Sequence, residues 1–89
     1  NAFIAAVCGN ITVWKPSPKT PLCAVASMKI CNEALRAGGF PDIFYLFNDA
    51  GTELAQAFVD DHRIPLVSFT GSTQVGRQVG ERVARRMGR

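Results

Sequence analysis

The residues best suited to chemistry lie in the stretch LVSFTGSTQVGRQVG, residues 66–80. Residues 66–69 read as a short strand, and a helical pattern begins at Ser72. The first turn of a helix presents free N–H groups and a positive dipole end, which together hold an anion. Gly71 lets a ligand come close to the backbone, and Ser72 adds a hydroxyl donor. Ligands of open α/β sheets lie beyond the carboxyl ends of the strands, where this turn falls. The same residues equally suit ordinary helix capping by Ser72 or Thr73. The stretch is not a GxGxxG fingerprint, and Gly76 and Gly80 add little by spacing alone. A phosphate cradle and a plain cap both remain open on these residues.

A second candidate is Lys15 in WKPSP. It follows a short β-type run, so it sits at a strand's carboxyl end. Strand ends on one sheet edge converge, which would let Lys15 reach the ligand of Ser72 and donate to ribose hydroxyls or neutralise phosphate. The alternative is an exposed loop lysine.

The elements that must position these groups alternate between helix and strand. Residues 2–8 read as the end of a helix closed by Gly9-Asn10. Residues 11–14 form a short strand, and Pro16, Pro18 and Pro21 bar regular structure until a helix starts at residue 21 or 22, with Thr20 as N-cap. That helix runs to Ala37. Its narrow polar stripe (Lys29, Asn32, Glu33, Arg36) predicts a mostly buried helix. Residues 43–47 are all apolar, as in a strand covered on both faces. Residues 52–59 form a short helix, 66–69 a third strand, and 72–87 a last helix with Val75, Val79, Val83 and Met87 on one face. Strands separated by helices predict an α/β fold, a partial Rossmann-like doubly wound parallel sheet of about three strands with flanking helices. Both edges of so small a sheet would be unpaired, and a complete domain would need more strands.

Composition bounds the rest. The chain has 89 residues, 47% apolar and 19% charged, which fits one small globular domain and not a disordered chain. The net charge of +3 is concentrated late, in Arg77, Arg82, Arg85, Arg86 and Arg89. This reads as a solvated helix face or a contact with further parts of a larger protein; a nucleic-acid stripe would need interleaved aromatics or a binding motif. No apolar run reaches the ~18 residues of a membrane span. Neither nucleic acid nor membrane is expected as a partner. Cys8, Cys23 and Cys31 form no CxxC and there is one histidine, so no metal site is expected. Each cysteine lies among small apolar residues, as a reduced, buried thiol in a cytoplasmic protein would. His62, Glu33 and Glu81 read as surface residues. The start NAFIAAVCGN and the end at Gly88-Arg89 look like the middle of a longer chain.

GNITVWKPSPKTPL, then AGGFPDIFYLF, then VSFTGSTQVGRQVG resemble, in order and at family spacing, the cofactor domain of the NAD(P)-dependent aldehyde dehydrogenase superfamily. The similarity covers essentially the whole chain. CGN-x-x-x-WK and FTGSTQVG-x-QVG are most similar to the antiquitin branch, which acts on α-aminoadipic semialdehyde. The resemblance implies that residues 1–89 are part of an NAD-binding domain, with the catalytic and oligomerisation domains elsewhere. It implies that Lys15 binds the adenosine ribose hydroxyls and that Ser72, beside Gly71, binds a pyrophosphate oxygen. It further implies that Val75 lines the adenine, that Gly51 lies near the adenine ring, and that Trp14 and Ser17 neighbour the ribose.

Two positions depart from the family pattern. Pro18 stands where many NAD-preferring members have a ribose-binding glutamate, which leaves NAD expected and NADP open. Asn48-Asp49-Ala50-Gly51 is less glycine-rich than the usual turn. The family's nucleophilic cysteine, its base in Glu-Leu-Gly-Gly and its oxyanion asparagine in an Asn-Phe-Pro-type motif are not among these residues. Cys8, Cys23 and Cys31 are at the wrong places. No catalytic residue is therefore assigned, and the chain alone is expected to be inactive. The full-length enzyme would oxidise a small aldehyde to a carboxylic acid, as a homodimer or homotetramer. The alternative is a stand-alone, non-catalytic nucleotide-binding or interaction module.

Overall fold

The computed structural model describes residues 1–89, in two compact units, Asn1–Ala50 and Gly51–Arg89. The first holds α1 (Ala2–Val7), β1 (Thr12–Trp14), α2 (Pro21–Ala37) and β2 (Phe44–Leu46). β1 and β2 pair in parallel, with Thr12, Val13 and Trp14 opposite Phe44, Tyr45 and Leu46. α2 is the crossover that parallel pairing requires.

α2 starts where the sequence puts it. Pro21 takes the first helical position, where its missing N–H is no loss. Thr20 precedes it without a side-chain cap bond, although its carbonyl accepts from Ala24 N–H at 3.3 Å. The helix ends in a Schellman turn. Phe40 N–H donates to Leu35 O at 2.9 Å and Gly39 N–H to Arg36 O at 3.0 Å, with Gly39 at φ +77°. Only a residue without Cβ takes that conformation freely. The small core of this unit centres on Ala24, 2% exposed, and Phe44. The Phe3 ring meets Phe44 edge-on at 5.8 Å, and Asn32 Nδ2 donates to Phe44 O at 3.1 Å, tying α2 to β2.

Burial here differs from expectation. α2 is not mostly buried: Leu22 is 80% and Ile30 67% exposed. A two-stranded sheet covers one helix face and leaves the second apolar face open. For the same reason β2 is covered on one side only, with Phe44 buried and Tyr45, pointing the other way, exposed. All three cysteines are free, but Cys8 and Cys23 are exposed and only Cys31 is partly covered.

The second unit holds α3 (Glu53–Asp60) and α4 (Thr73–Arg85). The strand expected at 66–69 is not formed. Val67 N–H donates to Arg89 O at 2.6 Å, and Arg89 N–H donates to Pro65 O at 3.1 Å. The segment is thus bridged through the terminal Arg89 and forms no ladder. The fold is mixed α/β with one parallel pair of strands in place of the expected three. A Rossmann-like arrangement is compatible with this β1–α2–β2 unit.

Arg86 joins α4 to the segment after α3. Its Nε donates to Val59 O and its Nη2 to Ile64 O, both at 2.7 Å. Val83 is buried, and Val79 is partly covered. Met87 leaves the expected apolar face, at 92% exposed, because α4 ends at Arg85. Met87 N–H donates to Ala84 O and Gly88 N–H to Val83 O, each at 3.0 Å, with Met87 at φ +60°. This is again a Schellman turn, with methionine in the place glycine favours. No helix is long and apolar enough to cross a membrane.

Candidate functional site at the amino terminus of α4

Ser72 is the N-cap of α4. Its backbone is extended (φ −68°, ψ 149°), and its Oγ accepts from Val75 N–H at 3.3 Å. Its carbonyl accepts from Gly76 N–H at 2.9 Å. The N–H groups of Thr73 and Gln74 have no acceptor within the protein, as first-turn donors do not. A serine oxygen that accepts from Val75 keeps its own proton free to donate outward. Capping therefore leaves the hydroxyl with a proton to offer.

An open cleft of ≈ 510 Å³ borders this turn, lined by Phe69, Thr70, Gly71, Ser72, Thr73, Gly76 and Arg77. It is shallow and mostly open to solvent. Gly71 is shaped by an internal group. A Cβ there would lie 2.6 Å from Phe69 Cζ, and one on Gly76 3.3 Å from Phe69 Cε1. The close approach that the sequence suggested for a ligand is made here by an aromatic ring. Phe69 and Arg77 were not among the sequence candidates. The signal for Phe69 was present, since small residues two and seven places later leave room for its ring.

The other candidates fall as follows. Val75 contributes its N–H to the cap, is exposed, and does not line the cleft. Gly51 is exposed at the start of the second unit and is also off the cleft wall. Trp14, Lys15 and Ser17 follow one another at the carboxyl end of β1 in the first unit. Lys15 Nζ donates to Pro16 O at 3.2 Å, which leaves two of its three protons for a ligand. Ser17 Oγ accepts from Lys19 N–H at 3.3 Å, and Ser17 O accepts from Thr20 N–H at 3.1 Å, so Ser17 shapes the turn into α2. Lys15 and Ser72 were expected at ends of strands in one sheet. Residues 66–69 lie outside the sheet, so no common sheet joins the two groups.

The late arginines are mostly engaged. Arg82 pairs with Asp60 and Arg85 with Glu81, each at 2.6 Å, and Arg86 is held by carbonyls. The Arg85 pair is local and solvated, whereas Arg82 and the partly buried Arg86 tie α4 to α3 and the segment after it. Asp61 accepts from the Arg63 guanidinium at 2.6 Å and from Arg63 N–H at 2.8 Å. Those bonds hold its carboxyl down to about 2. His62, Glu33 and Glu81 are exposed. No three His, Cys, Asp or Glu side chains are grouped to hold a metal.

Residues 1–89 match the Aldehyde dehydrogenase family throughout. "Aldehyde dehydrogenase family 7 member B4" of Arabidopsis thaliana is 45% identical over 89 residues, 100% of this chain and 18% of that protein. "Aldehyde dehydrogenase family 7 member A1" of Pisum sativum is 43% identical over the same span. "Alpha-aminoadipic semialdehyde dehydrogenase" of Bos taurus is 42% identical over 89 residues, again 100% of this chain and 16% of that protein. The chain thus spans under a fifth of the length of these relatives. The similarity includes the branch that the WK and FTGST motifs resembled, and the chain belongs to the aldehyde dehydrogenase family.

Proposed function

We propose that this chain is the cofactor-holding segment of an NAD-dependent aldehyde dehydrogenase that oxidises α-aminoadipic semialdehyde or a close analogue to the carboxylic acid. The observation that carries the reading is the amino end of α4. Two N–H groups without acceptors and the free proton of Ser72 flank an open cleft, in a chain of this family. That donor set is short of acceptors and suits a pyrophosphate oxygen. Ser72 donates to that oxygen, and the Thr73 and Gln74 N–H groups share its charge. Lys15 donates its free protons to ribose hydroxyls, with Trp14 and Ser17 shaping that neighbourhood. Val75 and Gly51 lie beside the adenine, and Gly71 leaves room for the phosphate once the Phe69 ring moves off it.

When bound, the dinucleotide accepts the hydride that the aldehyde loses. This chain's residues hold and orient its adenosine end, while the nucleophile and base belong to the remainder of a longer polypeptide. Pro18 brings no carboxylate to the ribose, so a 2′-phosphate meets no repulsion from that position and NADP is a weaker second cofactor. The complete enzyme is cytoplasmic and assembles as a dimer or tetramer.

The test is spectrophotometric. The complete polypeptide is expected to reduce NAD with α-aminoadipic semialdehyde, and the 89-residue chain to show no turnover above a protein-free control. A complete polypeptide that neither binds nor reduces NAD would overturn the proposal.

A further inference from the structure

The Phe69 ring folds back over the amino end of α4. It lies against the Cα faces of Gly71 and Gly76, where added Cβ atoms would come within 2.6 Å and 3.3 Å of it. It lines the same cleft as Ser72 and Thr73 and is 42% exposed, so more than half of it is covered without belonging to the buried core. Gly71 precedes the N-cap and Gly76 is the fourth helical residue. Those are the two positions a hydrophobic staple joins at a helix start. Here both are bare, and one aromatic ring from residue 69 spans them. The ring thus stands on the turn that leads into the Thr73 and Gln74 N–H groups.

We infer that Phe69 is an internal gate, seated on Gly71 and Gly76 in the free protein and swung aside when the dinucleotide enters. The inference rests on the cofactor reading above. Ring and pyrophosphate compete for one notch, so binding-competent molecules are those with the ring displaced. The apparent affinity is then reduced by the fraction of molecules in which the ring is seated. Partly exposed side chains change rotamer fast, so the gate acts on how often an encounter succeeds and leaves the bound complex unchanged.

The experiment is stopped-flow association of NAD with the complete polypeptide, comparing wild type with Phe69→Ala and Phe69→Leu. The association rate is expected to rise several-fold in Phe69→Ala, less in Phe69→Leu, with the dissociation rate unchanged. NAD binding with an association rate at or below wild type in Phe69→Ala overturns the gate alone. No saturable binding by wild type or variants overturns the cofactor reading and the gate with it. Should Phe69→Ala lose its circular dichroism spectrum, para-fluorophenylalanine at position 69 decides in the wild-type background. A fluorine resonance that shifts saturably with NAD supports the gate, and one unmoved at saturating NAD overturns it.

Discussion

Replacing Ser72 by aspartate separates the two roles its hydroxyl can hold. Aspartate caps helices as well as serine does, so the bond from Val75 N–H survives in Ser72→Asp. The carboxylate would stand where the pyrophosphate charge arrives. Two like charges about 4 Å apart repel by about 4 kcal/mol at the effective dielectric of a protein surface. The cleft is open to water, which trims that value. A loss of NAD affinity of about 100-fold or more is expected, equivalent to about 2.8 kcal/mol.

Ser72→Ala behaves differently. It removes the cap, at 3.3 Å a long bond, and lowers stability by about 0.5–1 kcal/mol. It also removes one donor to an ionised oxygen, worth about 1.5–3 kcal/mol, or roughly 10- to 150-fold in affinity. The assays are calorimetric titration with NAD and urea unfolding, each on both variants of the complete polypeptide. Unchanged stability with lost binding in Ser72→Asp supports the phosphate assignment. NAD binding in Ser72→Asp within about threefold of wild type, or about 0.7 kcal/mol, would refute it and leave Ser72 a cap alone.

Three further outcomes follow from the second unit. Arg86→Lys keeps the charge but not the fork that serves Val59 O and Ile64 O together; a cost of about 1.5–3 kcal/mol is expected, read as a lower urea midpoint. Met87→Gly should raise stability by about 0.5 kcal/mol, because relief of the left-handed backbone at φ +60° outweighs the added chain entropy; the thermal midpoint reports it. Asp61, lowered from 3.8 to about 2 by Arg63, favours the folded form above pH 3.8 and loses that contribution as pH falls toward 2; a carbon-detected NMR titration of its carboxyl should find the midpoint well below 3.8.

Element order was legible because breakers stand at the joints. Pro21 and Gly38-Gly39 bracket α2, and Gly9 closes α1 at φ +78°. The end of α4 was misread because Gly88 falls one residue after the left-handed position, which Met87 fills. Burial was misread for one physical reason. An all-apolar run such as 43–47 reports an affinity for cover, and a pair of strands supplies cover to one face only. The strand expected at 66–69 failed similarly: strand propensity needs a partner strand, and residues 65–67 meet the terminal Arg89 instead. In the candidate site, Ser72 was legible as an N-cap, and whether its hydroxyl kept a proton to offer was not. That depends on which atom of the hydroxyl faces Val75. Phe69 left only a spacing signal, Gly71 and Gly76 two and seven places on, and that pattern has no periodicity to set it apart.

Gly71 is where the capping and ligand readings meet. Seen from the free protein, it lacks a side chain because a Cβ would strike Phe69 at 2.6 Å. Seen from the proposed complex, it lacks one because a phosphate oxygen must approach its backbone. The backbone does not itself demand glycine, since Gly71 is not among the residues at positive φ. What a Cβ there would meet is the tip of the Phe69 ring, which would have to shift. In the proposed gate, ring and phosphate would use that space at different times. A methyl there would crowd the ring in one state and the phosphate in the other, whereas trimming Phe69 relieves only the first.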